Sequence, residues 1–219
     1  MRKEITVRSA ANVKVKPDYV NILIDIVTRG HDYSNCMSDA AHKIQFLQNA
    51  LKEVNVDAED LRTTDFDVDT EWEWIDDANG ERTKKRVFAG YKIHQKLKFG
   101  FDFSREMIGA ILGGIVKSGV NPEFEVRFTV KDASFVQAEL FAKASENARK
   151  IAEGLSRGVG KKLGDIININ YSWHELNVYR RTRIEVLGCW QEASACSVPD
   201  INPDDLDVSD SVIFTWELL

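Results

Sequence analysis

Metal, nucleophile and phosphate chemistry each need particular side chains at particular spacings. The four histidines, His31, His42, His94 and His174, form no His-x-x-x-His or His-Glu-x-x-His pair that would aim two imidazoles from one helix face at a zinc ion. The three cysteines, Cys36, Cys189 and Cys196, make no Cys-x-x-Cys motif. Cys189 and Cys196 could pair in an oxidising compartment, whereas a reducing cytoplasm leaves all three as thiols. No serine stands in a Gly-x-Ser-x-Gly elbow. Residues 154–164 read GLSRGVGKKLG and invite comparison with a phosphate loop. That loop needs four residues between its glycines and a Ser or Thr after Lys. Here five residues separate Gly154 from Gly160 and Lys162 replaces the hydroxyl. These glycines also close a helix, whereas a phosphate loop opens one. No cofactor and no metal are expected, and no catalytic residue is assigned.

The acidic row Asp65, Asp67, Asp69, Glu71 and Glu73 is the remaining cluster with ligand chemistry, since carboxylates suit hard cations. It alternates with Phe66, Val68, Trp72 and Trp74, which makes it one face of a strand. Same-face carboxylates on a strand stand about 7 Å apart and do not converge on an ion. A structural use fits better. Asn79-Gly80 is a favoured hairpin turn, and Arg86, Lys92, His94, Lys96 and Lys98 follow on alternate positions. A two-residue turn sets Glu73 opposite Arg86, Asp67 opposite Lys92, Trp72 opposite Val87 and Val68 opposite Tyr91, so that acid meets base on one face and apolar meets apolar on the other.

The elements that must carry these residues are legible from periodicity. Residues 5–7 and 13–27 alternate as strand, with Pro17-Asp18 marking an edge or bulge. A helix follows, capped by Asp32 or Ser34, with Met37, Ala40, Ala41, Ile44, Leu47, Leu51 and Val54 on its apolar face. Ser104 opens a second helix through Lys117, with Gly119 as its C′ residue. Gly109, Gly113 and Gly114 within it suggest close approach to a neighbour. Residues 124–130 form a strand. A third helix opens with Ser134-x-x-Gln137 as a capping box and carries Ala138, Ala142, Ala148, Ala152 and Leu155 as a small-residue stripe. Residues 163–171, 178–186 and 212–218 close the chain as strands. The expected fold is α+β: a largely antiparallel sheet with about three helices packed on one face, in two intimately joined lobes. It is read as one domain over residues 1–219 with a long irregular connection at 188–211.

With 219 residues, 43% hydrophobic and 29% charged, the chain can bury a core without staples. A net charge of −6 and dispersed basic residues argue against a phosphate-backbone binder, so no nucleic-acid partner is expected. No apolar run reaches the length of a membrane span. No signal peptide is visible, which points to the cytoplasm, or to the periplasm if Met1 begins a processed form.

The order of these features resembles the SIMPL-domain, or YggE-like, family. The residues that carry the resemblance are Ile5-Thr6-Val7 and the Pro17-Asp18-Tyr19-Val20-Asn21-Ile22 strand entry, Gly90-Tyr91 running to Leu97, Phe99 and Asp102, the Ala-rich helix with Ala148-Arg149-Lys150-Ile151-Ala152-Glu153, Gly160 to Gly164 with Ile166, and the terminal strand 212–218. The family's early glycine is Ser9 or Ala10 here. The resemblance implies an α+β fold, homo-oligomerisation, and a loose association with stress or the cell envelope. It brings no catalytic residues. Trp72, Trp74 and Trp216 lie on alternating strands and suit either core packing or a subunit interface. The expected function is therefore non-enzymatic self-assembly as a homo-oligomer, with these three tryptophans as the candidate interface. The alternative is a small-ligand or metal-binding module using a cleft near the C-terminal loop; no ligand is identified.

Overall fold

A computed structural model of the chain describes residues 3–76, 84–171, 178–182 and 202–219. Among them the order is β1 (Glu4–Val15), β2 (Tyr19–Gly30), α1 (Tyr33–Lys52), β3 (Arg62–Asp76), β4 (Lys84–Asp102), α2 (Arg105–Lys117), β5 (Glu123–Thr129), α3 (Ala133–Gly158), β6 (Leu163–Asn170), β7 (Tyr179–Thr182) and β8 (Leu206–Leu218). The fold is α+β, as expected. Its strands are shared between two sheets, in the orders β1-β8-β6 and β3-β4-β2-β5-β7. The chain divides into two compact units. One comprises Met1–Asp18, Thr129–Arg180 and Pro203–Leu219; the other comprises Tyr19–Phe128 and Arg181–Asn202.

The split explains Pro17-Asp18. Residues 13–27 are two strands in different sheets, with the proline between them, and the two short runs before Pro17 join as one strand, β1. In the first unit, β8 pairs antiparallel with both β1 and β6. Val136, Leu140, Ala144, Ala148, Ala152 and Ser156 of α3 are buried at four-residue spacing, and the hydrophobic ones pack with Val7, Val13, Val212, Phe214 and Trp216. The small-residue stripe is thus displaced from the one expected: Ala148 and Ala152 are in it, while Ala138, Ala142 and Leu155 are exposed. The cap differs too, since Asp132 accepts from Ser134 N at 2.9 Å. Hydrogen bonds to this carboxylate hold its pKa below the usual range. At the other end, Gly160 takes φ +69° and Lys161 N donates to Ser156 O at 2.8 Å, a glycine-dependent helix stop. β8 begins at Leu206, earlier than expected, with Val208 opposite Val13 and Leu206 opposite Val15. That strand takes up residues 206–211 of the expected irregular connection, whose residues 188–201 lie outside the described set.

In the second unit, Val20, Ile22, Ile24 and Ile26 of β2 are almost wholly buried. They pack with Leu97 and Phe99 of β4, Leu47 and Leu51 of α1, and Ile108, Ile111 and Ile115 of α2. Each such aliphatic side chain contributes roughly 1.5–3 kcal/mol on burial. Asp32 caps α1 by accepting from Asn35 N at 3.0 Å, and Ser104 caps α2 by accepting from Met107 N at 3.2 Å. A Cβ on Gly114 would meet Ala50 O of α1 at 3.2 Å, so this glycine is where the two helices press together. Gly113 has nothing within 4 Å of such an atom.

Candidate functional site

The hairpin of β3 and β4 has two different faces, and a bulge sets their register. Asp69 pairs with Lys92, Asp67 with His94 and Asp65 with Lys96, but Glu71 pairs with Gly90 and Trp72 with Phe88. Ala89 is therefore an extra residue on β4. Gly90 accommodates it with φ +141°, and its α-carbon lies so near the Gly30 backbone that a Cβ would stand 2.6 Å from Gly30 O. The expected register is displaced by two residues beyond the bulge, which preserves the faces, and by one nearer the turn, which does not. Glu73 consequently sits opposite Val87 in place of Arg86, and Val68 opposite Ile93 in place of Tyr91. Asn79-Gly80 lies outside the described residues.

On one face the acids meet bases. Lys96 Nζ donates to Asp65 Oδ2 at 2.8 Å, and Arg29 on β2 reaches Glu71 at 3.0 Å. Lys96 holds the Asp65 carboxyl below, and Asp65 the Lys96 ammonium above, its ordinary pKa, each mainly through their mutual hydrogen bond. The pair's contribution is present above the ordinary aspartate pKa and is lost as pH falls through the depressed value. His94 stands 3.8 Å from Asp25.

The opposite face is aromatic. The bulge turns Phe88 onto the side of Tyr91, their rings 5.2 Å apart. Trp72 and His31 each approach Phe88 with centroids at 5.7 Å, Tyr33 meets Tyr91 at 5.4 Å, and the Arg86 guanidinium lies 4.8 Å over the Trp72 ring. Trp72 remains 45% exposed and Trp74 65%. Phe66 and Val68 extend the same strand face and are exposed.

Beneath this cluster lies Cys36, which the expected α1 stripe omitted. It is fully buried beside Ala40 and Ile93, with Sγ 3.7 Å from both Thr28 O and Tyr91 O. Burial, reinforced by Asp39 and Glu71, pushes its pKa above the ordinary 9.0. The fold favours the neutral thiol, so this contribution to stability is full below pH 9.0 and declines as pH rises through the raised value. In a Cys189→Ser, Cys196→Ser variant, Cys36 is expected to ignore a thiol-specific disulfide reagent until urea unfolds the chain. Rapid labelling of the native variant at neutral pH would contradict the burial.

The first unit presents a different surface. Trp216 is only 4% exposed, stacked on Phe214 with centroids 5.5 Å apart and opposite Ile5 and Ile166 on its two neighbours. It is a core residue, with no surface to offer a second copy. Exposure falls instead on β6, where residues 165–170 are all exposed. Ile166 and Ile169, each 53% exposed, point to the same side as their partners Trp216 and Phe214. No expectation placed these isoleucines at an interface; the available signal was the run Ile-Ile-Asn-Ile-Asn, high in β-propensity and uncharged. Near the end of β6, Tyr171 donates to Asp210 Oδ2 at 2.8 Å, and burial first, then that carboxylate, raises its pKa.

Among the described residues no three His, Cys, Asp or Glu side chains gather closely enough to hold a metal ion, and no helix is long and apolar enough to cross a membrane. His42 lies exposed on α1, and His174 falls outside the described residues, as do Cys189 and Cys196. The model of the SIMPL family, described as "Protein of unknown function (DUF541)", matches residues 5–216. No curated protein matches the chain.

Proposed function

The chain belongs to the SIMPL family, whose function is unknown, and from that premise we propose that it is a non-enzymatic, self-assembling protein whose copies join along the outer edge of β6. The observation that carries this reading is that, among the described residues, β6 is an exposed edge strand of its sheet with almost no charge. An uncovered apolar edge offers unpaired backbone groups to another strand, and proteins that must stay monomeric usually blunt such edges with lysine, proline or inward charge. β6 has none of these. Asp165 is its sole charged residue. In an antiparallel pairing of two copies centred between Ile166 and Ile167, Asp165 faces Asn168, so no like charges meet. Trp72 and Trp74 keep the exposure expected of an interface, but on an acidic strand that suits a different occupant.

The test is sedimentation velocity over a range of concentrations. Wild type is expected to associate, and Ile166→Lys with Ile169→Lys to weaken association at least about thirtyfold, as loss of a central apolar anchor does. Both positions are exposed, so the circular dichroism should stay near native. A wild type that remains monomeric at high micromolar concentration defeats the proposal.

A further inference from the structure

Among the described residues β3 is the outer strand of the five-stranded sheet, with β4 as its neighbour in the strand order. From Arg62 to Ile75 every residue except Asp65 and Glu71 is exposed, on both faces. One face carries Phe66, Val68, Trp72 and Trp74, and the other Asp65, Asp67, Asp69, Glu71 and Glu73. Lys96 and Arg29 engage Asp65 and Glu71. Asp67, Asp69 and Glu73 make no ion pair among the described residues. Among the described residues the strand thus offers three things along one line: an open backbone edge, an apolar face, and a row of carboxylates of which Asp67, Asp69 and Glu73 have no close ion pair.

These features select their occupant. A second copy of β3 is disfavoured in either alignment. Pairing about a dyad at Asp69 sets Asp67 against Glu71 and Asp65 against Glu73, and a one-residue slip sets the acids against the aromatics. Nucleic acids and anionic membranes share the sign of the carboxylate row and are repelled. An added strand with cations on one face and apolar side chains on the other satisfies the backbone edge, the aromatic face and the acids together.

We propose that the outer edge of β3 docks an extended polypeptide segment in which lysine or arginine alternates with apolar residues, adding it to the sheet as a further strand. The site lies on a different strand from β6 and does not depend on self-assembly there.

The test uses the full chain and fluorescence anisotropy with a short labelled peptide alternating lysine and valine. Saturable binding is expected, weakening as salt rises. A peptide of the same composition with its lysines and valines in separate blocks, an alternating glutamate–valine peptide, and the lysine–valine peptide N-methylated at alternate residues should each bind at least about tenfold less tightly, because they break the alternation, the charge match and the ladder in turn. Asp67→Lys with Asp69→Lys, and separately Trp74→Ala, should cost about tenfold or more while preserving the circular dichroism. The Ile166→Lys, Ile169→Lys variant should bind as wild type does. Equal binding of the blocked or N-methylated peptide, undiminished binding by the charge-reversed variant, or no saturable binding overturns the proposal. So does self-association that the charge reversal abolishes, which would give this edge to a second copy.

Discussion

Replacing Trp216 with alanine is expected to destabilise the protein by about 3–5 kcal/mol, the usual cost of removing a large aromatic side chain from a core. The ring fills the space between β1, β6 and α3 and is almost completely buried. Its neighbours are strand residues fixed by the ladders on both sides of β8, so the void has little means of collapsing. Trp74→Ala is the matched control. Its ring is largely in solvent, and a change of less than about 0.5 kcal/mol is expected. Urea titrations followed by circular dichroism compare the two directly. Similar midpoint shifts for both variants would show that the distinction between buried and exposed tryptophan is wrong.

Gly90→Ala is expected to cost about 3 kcal/mol, by a mechanism that involves no cavity. A positive φ already strains a residue with a side chain. The new methyl would also meet a backbone oxygen, Gly30 O, which has no rotamer by which to withdraw. Relief requires prising β4 from the Gly30–His31 corner and would disturb the aromatic cluster that the bulge assembles. The same substitution at Gly113, a helical position with open space, should stabilise by up to about 1 kcal/mol. If Gly90→Ala unfolds at the wild-type midpoint, the bulge is not where the register places it.

The elements and their amphipathic faces were legible because the period of the pattern is a local property. Asp32, Ser104 and Gly119 announced three helix ends through the same local chemistry. What escaped depends on partners distant in the chain. Alternation identifies β3 and β4 but cannot count the residues in a bulge, so acid-to-base pairing was foreseen and its partners were not. Alanine is small on every side of a helix, so its presence does not tell that Ala144 faces the sheet while Ala138 and Ala142 face solvent. The aspartates around Leu206 and Val208 disguised a strand whose buried residues are every second one. Trp72 and Trp216 look alike in sequence, each on an alternating strand. Only the sheet order separates them, since β8 is central and β3 is at an edge.

The interleaving of the two units along the chain has a consequence for synthesis. Residues 19–128 are contiguous, and their contacts can form as that stretch leaves the ribosome. The other unit cannot close in the same way. Its central strand, β8, follows every other described element, and β1 has no ladder partner among the described residues until β8 exists. More than two hundred residues separate the partners Ile5 and Trp216, a high-contact-order closure that is intrinsically slow. Until then, the apolar stripe of α3 and the strands meant to flank β8 are without their central layer. This is the interval in which a nascent chain is most exposed to aggregation and most in need of a chaperone.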